Sequence, residues 1–526
     1  MNQADTPSTE SKGPRSPNPS RNWRVDFESV LPWKNTITLF GLFLVAVAAC
    51  LLLTFGLFSV FNPASNPYFD IVGFMVLPGV FVVGLVICPI GVVVRRWRNR
   101  RAGSPRVMSS RSALVFLGTS FFLVLPILGM SGYEGYHYTE STQFCAKVCH
   151  AVMEPQASTY QHSPHARVSC AQCHIGSGAS YFVKSKLSGV RQVLAVLGDT
   201  FSRPIPPAIT ALRPAQYTCE QCHWPQKFFG NQLKSITHFS PDEQNTRREV
   251  HVLLKTGGAD DTLGRREGIH MHMLAPIEYV AGDDLLQEIP WVRYVDMTGH
   301  EHIYRSDGKP ASSPPPPGLV RKLDCMDCHN RAAHSFRPPD EAVDLQLDVK
   351  RIDATLPFIK REAVAALSHP FPDKPTAHAE IERAIRDFYR QSYPQVWEQR
   401  ADAVNQAIET IQGIYARNFF PEMKADWRTY PNNIGHRNSP GCLRCHDGLH
   451  VNESTRTLSS DCNICHTFFN EPRDGNGLVE GEFDHALRIH NRWDGLGPHS
   501  QLRCNQCHTG GPLPLCGSCH QSGEWL

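Results

Sequence analysis

The stretch SPHARVSCAQCHIG, residues 163–176, carries the pattern that decides this fold: two cysteines two residues apart, followed at once by a histidine. Seven strict copies of this C-x-x-C-H spacing occur in the chain, and an eighth has one extra residue between its cysteines. The strict copies are Cys170/Cys173/His174, Cys219/Cys222/His223, Cys325/Cys328/His329, Cys442/Cys445/His446, Cys462/Cys465/His466, Cys504/Cys507/His508 and Cys516/Cys519/His520, and the widened copy is Cys145/Cys149/His150. Together they use sixteen of the 18 cysteines.

This spacing indicates covalent haem c. The two thiols of a C-x-x-C-H site bond to the porphyrin vinyl groups, and the histidine that follows is placed to ligate the iron as its proximal ligand. Zinc ribbons also use paired C-x-x-C, but they need no histidine after every pair, and a disulfide framework needs none. The sequence therefore predicts eight covalently bound haem c groups, with the widened site as the weakest of the eight signals.

The remaining histidines predict how the irons are capped on the far side. The chain has 25 histidines, so enough remain for bis-histidine ligation at every haem. Several stand four to six residues from a motif, too close to reach their own iron but able to cap a neighbour. The distal candidates are His162, His165, His238, His270, His272, His334, His436, His450, His485, His490 and His499.

Three apolar runs precede the first motif, at Thr36 to Phe61, Phe69 to Val94 and Ser112 to Met130. Each approaches the roughly 20 residues that cross a bilayer, so we expect three transmembrane helices. The link between the second and third runs holds seven arginines, whereas the link between the first two is uncharged. Because positive loops stay in the cytoplasm, the N-terminus is expected inside and everything after the third run outside the inner membrane.

The spacing of the motifs suggests how the rest of the chain is organised. Alternating and aromatic stretches at 249–254, 290–296 and 300–304 indicate an antiparallel β insertion, and apolar residues at helical spacing in 380–389 and 395–415 indicate helices. The expected divisions are a polar cytoplasmic N-terminus (1–35), three spans with the basic loop 95–111 (36–131), haems 1 to 3 (132–223), the β-rich insertion (224–324), haem 4 with a helical segment (325–440) and a C-terminal cluster of haems 5 to 8 (441–526).

The residues around the first motifs resemble a known family. CAKVCHAVM, HSPHARVSCAQCHIG and FVKSKLSGVRQVL, all within 133–197, are similar to the NapC/NirT (NrfH-type) membrane quinol dehydrogenases. TCEQCHWPQKFFG, LDCMDCHNRAAHSF and GCLRCHDGLH look like the longer, three-span inner-membrane members found in metal-respiring bacteria. The resemblance covers most of residues 112–470. It implies a haem domain that receives electrons from the quinol pool and passes them to periplasmic partners.

The resemblance also implies roles for particular residues. In the family a methionine shortly after the first motif can ligate the first haem, and here Met153 is the nearest. A lysine after the second motif lies near the family's quinol site, and Lys186 matches its spacing, with Lys184 in reserve. The family's nearby acidic partner is missing, because Arg191 stands at the matched position.

The sequence thus predicts a membrane-anchored multihaem cytochrome c, with a three-helix transmembrane bundle and a mostly helical or irregular periplasmic haem domain carrying the β insertion. Its predicted function is quinol oxidation and electron relay to periplasmic cytochromes or a reductase in anaerobic or extracellular respiration, with no nucleic-acid partner and with room for an oligomer or complex. Two alternatives stay open: an octahaem terminal reductase of a nitrogen or sulfur oxyanion, and a non-enzymatic electron-transfer subunit. The residues leave menaquinol and ubiquinol equally possible.

Overall fold

The computed structural model describes residues 35–61, 76–101, 129–130, 132–148, 150–176, 179–208, 212–228, 230–260, 265–470 and 479–480. The chain divides into two compact units, residues 1–139 and 140–526. All of the motifs lie in the second unit.

The first unit contains two long apolar helices, α1 (Thr36–Phe61) and α2 (Leu77–Arg101). They pack through glycines: a Cβ on Gly41 would lie 2.9 Å from the carbonyl oxygen of Gly84, so only a hydrogen allows this approach. Among the described residues, one stretch, Leu77–Arg95, is both long and apolar enough to cross a membrane. The predicted third span lies outside the described residues, except for its last two positions.

The second unit begins with short helices around the first two motifs. A π-helical turn (Phe144–Val148) precedes α3 (His150–Gln161), α4 (Cys170–His174) and the longer α5 (Ala179–Leu197). Helix α4 is held by a capping box, in which Ser169 accepts from the backbone N–H of Gln172 and the Gln172 side chain accepts from that of Ser169. The cap fixes the turn that carries both thiols of the second motif.

Strands follow in the region where antiparallel β structure was predicted, and all their pairings are antiparallel. They are β1 (Gln232–Phe239), β2 (Arg247–Leu254), β3 (Gly258–Asp260), β4 (Arg265–Glu267), β5 (Ile277–Val280), β6 (Trp291–Val295), β7 (Glu301–Arg305) and β8 (Val320–Lys322). One sheet has the order β7-β6-β5-β8. The other, β1-β2-β9-β10, is completed by β9 (His466–Asn470) and β10 (Val479–Glu480) from beyond the insertion.

After the short motif helix α6 (Cys325–Cys328), four helices form the largest apolar core of the described chain. They are α7 (Pro339–Asp348), α8 (Ile359–Ser368), α9 (Lys374–Ser392) and α10 (Pro394–Asn418). Their inward residues recur at helical spacing, as Ile381, Ile385 and Tyr389 do on α9, and all three are at most 1% exposed. This core holds no motif, so it supports the haem-bearing segments from one side.

A buried polar cluster joins this core to the β1-β2-β9-β10 sheet. Asp344 on α7 accepts from Lys360 Nζ at 2.6 Å, from the backbone N–H of Phe239 at 3.1 Å, and meets His238 Nδ1 at 2.6 Å. Burial acts to raise the pKa of Asp344, but the bond to His238 and the charge of Lys360 outweigh it and hold the pKa below its ordinary value. The carboxylate therefore fastens β1 to α7 and α8.

Replacing Asp344 with Asn should destabilise this junction, because the buried ammonium of Lys360 loses its counter-charge. We expect a loss of about 3 kcal/mol in the free energy of opening of α7 and α8, measured by hydrogen exchange. Arg383→Gln, which breaks an exposed pair with Glu380, is the control and should cost under about 1 kcal/mol.

The difference in the free energy of opening between wild type and Asp344→Asn should depend on pH. A lowered carboxyl pKa stabilises the fold above the unfolded value of about 4, and this contribution is lost as the pH falls through the folded value. Wild type and Asp344→Asn should therefore converge in acid. A gap that stays constant down to pH 2 would contradict the assignment.

Candidate functional site

Five proximal histidines each face a second histidine ring in the part of the chain that the structure describes. Their ring centres lie 5.8–6.4 Å apart. The pairs are His174 with His334 (6.3 Å), His223 with His165 (6.1 Å), His329 with His270 (6.4 Å), His446 with His272 (5.8 Å) and His466 with His436 (6.3 Å).

This separation fits a metal held between two imidazoles. An iron bound at about 2 Å by one nitrogen of each ring would hold the ring centres roughly 6 Å apart. Direct stacking of two rings would bring them closer, and unrelated histidines would not repeat one distance five times. No disulfide joins the thirteen described cysteines, so the motif thiols among them remain available for thioether bonds. The residues present therefore fit haem c with bis-histidine ligation.

Hydrogen bonds orient several of these rings. Nδ1 lies 3.0 Å from the Gln156 carbonyl oxygen in His334 and 3.2 Å from that of Ala332 in His165. The same contact is 2.6 Å to Ile269 in His272 and 2.8 Å to Ser459 in His446. A carbonyl only accepts, so Nδ1 carries the proton and Nε2 keeps its lone pair for a metal.

Burial also favours the neutral, ligating form of His174, His272 and His334. It lowers the pKa of His174 and His272 below the ordinary histidine value. The pKa of His334 falls to about 4, through burial and then through the neighbouring charge of His174. At neutral pH these imidazoles are uncharged, as a metal ligand must be.

A single short segment supplies two of the distal rings. The 3-10 helix Ile269–Met273 carries His270 and His272, which face the proximal histidines of the fourth and fifth motifs. Gly268 begins this turn at φ 72°, and a Cβ there would lie 2.4 Å from the Lys255 carbonyl oxygen. The backbone N–H groups of Ile269 and His270 donate to the carbonyl oxygens of Lys255 and Thr256, just after β2, and these bonds fix the turn.

The motifs lie next to one another in the order of the sequence. The Cys170 thiol is hydrogen-bonded to that of Cys145, which joins the first two motifs. Electrostatic interactions then connect successive motifs as far as the sixth, through the pairs Cys173–Cys219, Cys219–Cys325, Cys328–Cys442 and Cys442–Cys465. Six attachment sites thus form one continuous series within the second unit.

The third motif places one of its two predicted attachment cysteines at the surface, which the motif spacing did not indicate. Cys219 is half-buried and interacts electrostatically with Cys173 and Cys325. Cys222 is exposed and is not part of the pairs that connect successive motifs. The reason is local, because Cys222 is the C-cap of the 3-10 helix Cys219–Gln221 and its backbone N–H donates to the Cys219 carbonyl oxygen at 3.1 Å. Cys173 and Cys462 are exposed too. Haem attachment at all eight motifs, Cys222 included, stays a prediction from the motif spacing.

Three distal candidates are placed elsewhere. His238 binds Asp344, and the Nδ1 of exposed His162 lies 2.8 Å from the Ser158 carbonyl oxygen. His450 is 1% exposed, with Nδ1 2.8 Å from Asp447 and Nε2 2.6 Å from the Ile289 carbonyl oxygen, so both ring nitrogens are occupied. Other predicted site residues lie outside the described residues: Cys149, Cys504, Cys507, His508, Cys516, Cys519, His520, His485, His490 and His499.

The predicted quinol-site residues lie close to the first motif. Lys186, on α5, is half-buried, and burial lowers the pKa of its ammonium, opposed by the charges of Glu140 and Cys145. Lys184 and Arg191, on the same helix, are exposed. Half-buried Met153 lies on α3, which begins at His150. The matched lysine, Lys186, therefore interacts electrostatically with the first attachment site.

Two charged residues inside motifs were missed by the sequence reasoning. Asp327, between Cys325 and Cys328, is buried and accepts from the Tyr279 hydroxyl at 2.5 Å. Burial raises the pKa of this carboxyl. Arg444, between the fifth motif's cysteines, donates to the carbonyl oxygens of Gly441, Leu286 and Asp327. A charge between two motif cysteines is the signal that could have indicated both, because the motif turn is necessarily packed against haem.

Comparison with known proteins identifies the family of this chain. Residues 107–204 match the model of the NapC/NirT cytochrome c family, N-terminal region. The chain is 38% identical over 489 residues to the cytochrome c-type protein ImcH of Geobacter sulfurreducens, covering 90% of this chain and 95% of that protein. It is 31% identical over 116 residues to the cytochrome c-type protein NrfH of Wolinella succinogenes, and the match covers 21% of this chain and 63% of that protein. No solved structure matches. The chain belongs to the NapC/NirT family of membrane-anchored cytochromes c.

Proposed function

We propose that this chain is an inner-membrane octahaem cytochrome c that oxidises quinol at the outer face of the bilayer and relays single electrons to a periplasmic cytochrome or reductase. One observation carries the proposal: a continuous series of six attachment motifs begins at Cys145, beside Lys186, and continues to His466. A series with its first site beside a half-buried lysine is the arrangement of a conduit with an entry point.

Five pairs of histidines would hold iron from both sides in the described part of the chain, so those positions offer no open face to a substrate. Haem held in this way supplies a six-coordinate, low-potential, one-electron centre. This ligation favours electron transfer over the reductase alternative, which needs an iron with a free position. The two C-terminal motifs would complete the count of eight.

Lys186 would act at the entry point. Oxidation of one quinol releases two electrons and two protons, and the reaction is easier once a hydroxyl proton has left. An ammonium beside that oxygen stabilises the anion and can donate a hydrogen bond to the quinone product. Burial lowers the pKa of Lys186, and the nearby charge of Glu140 opposes this effect and favours the ammonium. Protons would leave to the periplasm and electrons would enter at the first motif.

The proposed setting is a chain with three spans, a cytoplasmic N-terminus and a periplasmic haem domain. Its partners would be the membrane quinol pool and a soluble periplasmic cytochrome or reductase, alone or in a complex. The six divisions of the chain, with boundaries at 35, 131, 223, 324 and 440, belong to the same proposal. Helix α1 and the apolar part of α2 support the first two spans.

Substitution of Lys186 by Gln should slow reduction by a quinol analogue by about 10- to 100-fold, because the stabilising positive charge is lost. Reduction by dithionite, which needs no quinol site, should keep its rate. Lys309→Gln is the control, because that lysine is exposed in the loop after β7 and belongs to no predicted site. Stopped-flow absorbance of the full chain measures both reactions. Equal slowing in the two variants would remove Lys186 from the site.

Substitution of His334 by Ala should convert one low-spin centre to high spin, because the haem at Cys170 and Cys173 would lose its distal ligand. Electron paramagnetic resonance of the full chain would show the new high-spin signal. His162→Ala is the control, since that exposed ring faces no proximal histidine in the described residues. An unchanged spectrum for His334→Ala would contradict the pairing, and a high-spin centre already present in the wild type would favour the reductase alternative.

A further inference from the structure

Helix α5 presents an apolar face to solvent. Its exposed stripe consists of Val183, Leu187, Val190, Leu194 and Leu197, which are 53–79% exposed. The intervals of four, three, four and three residues place these side chains on one face over roughly 21 Å of helix. Five large apolar side chains in one line form a contiguous patch, whereas single exposed apolar residues are ordinary.

The inner face of the same helix is already occupied. Val196 packs against the cluster that contains Phe336 and Phe420, and Gly189 and Ala195 are half-buried. The exposed stripe is therefore not the face by which α5 packs against the haem domain. The helix is anchored to the haem domain on one side and carries a second, separate apolar face on the other.

The charges beside the stripe indicate what covers it. Lys184 and Arg191 are exposed, seven residues apart, and lie roughly a quarter turn from the centre of the stripe. Half-buried Lys186 lies near its other edge, and α5 contains no acidic residue. An apolar line flanked by basic side chains matches an anionic lipid surface, where acyl chains take the apolar face and phosphates take the ammonium and guanidinium groups.

We propose that α5 is an interfacial helix whose exposed stripe enters the acyl region of an anionic phospholipid bilayer, the membrane that anchors this chain. Lys184 and Arg191 bind the headgroup phosphates. The lipid contact goes beyond the proposed quinol chemistry, since it would stand even if quinol were oxidised elsewhere. It also holds Lys186 at the boundary between lipid and water, where a quinol head group arrives from the bilayer.

Photolabelling tests this proposal on the full, haem-loaded chain in nanodiscs of phosphatidylglycerol and phosphatidylcholine. A phospholipid with a diazirine at the end of its acyl chain is activated, and mass spectrometry locates the label. We expect residues 187–197 to carry about five-fold more label than the peptide containing Leu319, which is 75% exposed on the haem domain. Omitting phosphatidylglycerol should reduce the labelling of α5.

The double substitution Leu187→Gln and Leu194→Gln should lower labelling of the α5 peptides about five-fold, and Leu319→Gln is the matched control that should leave it unchanged. Unaltered haem absorbance shows that the variants fold. Label on α5 no higher than on the Leu319 peptide overturns the proposal. The readout is independent of reduction rates, so failure of quinol oxidation and failure of the lipid contact are distinguishable.

Discussion

Pairs of imidazole rings held about 6 Å apart are the constraint on which the second unit depends. No motif by itself positions both histidine rings of a pair. The described motif helices are at most five residues long, as in α4 and α6, and cannot build a core. Each proximal histidine therefore needs a distant segment to deliver its partner, and the sheets, caps and helical core provide the precision.

The pairs show how this works. His334 follows the fourth motif but faces His174 of the second, and His436 precedes the fifth motif but faces His466 of the sixth. Each such crossing ties two attachment sites into one structure, so the sites cannot move independently. The motif-free core of α7 to α10 is then the rigid element behind the series, fastened to β1 through Asp344.

Much of this was predictable from local pattern. The bounds of α1 coincide with the first apolar run, α9 and α10 contain the stretches with apolar residues at helical spacing, and β6 and β7 overlap the two aromatic stretches. The choice of distal histidines was not predictable. His450 and His334 stand at similar distances after a motif, yet Asp447 and the Ile289 carbonyl oxygen engage His450. Sequence spacing determines where a side chain lies along the chain, but residues that the fold brings next to it, such as Ile289, decide its partners.

The turn that carries His270 and His272 limits which insertions and deletions the haem domain can accept. Two residues of one 3-10 helix face the proximal histidines of consecutive motifs. The distance between His270 and His272 is therefore set within five residues and does not depend on the length of the surrounding loops. An insertion or deletion within it would displace both rings that face the proximal histidines of the fourth and fifth motifs. We expect relatives that keep both histidines to keep the length of this turn.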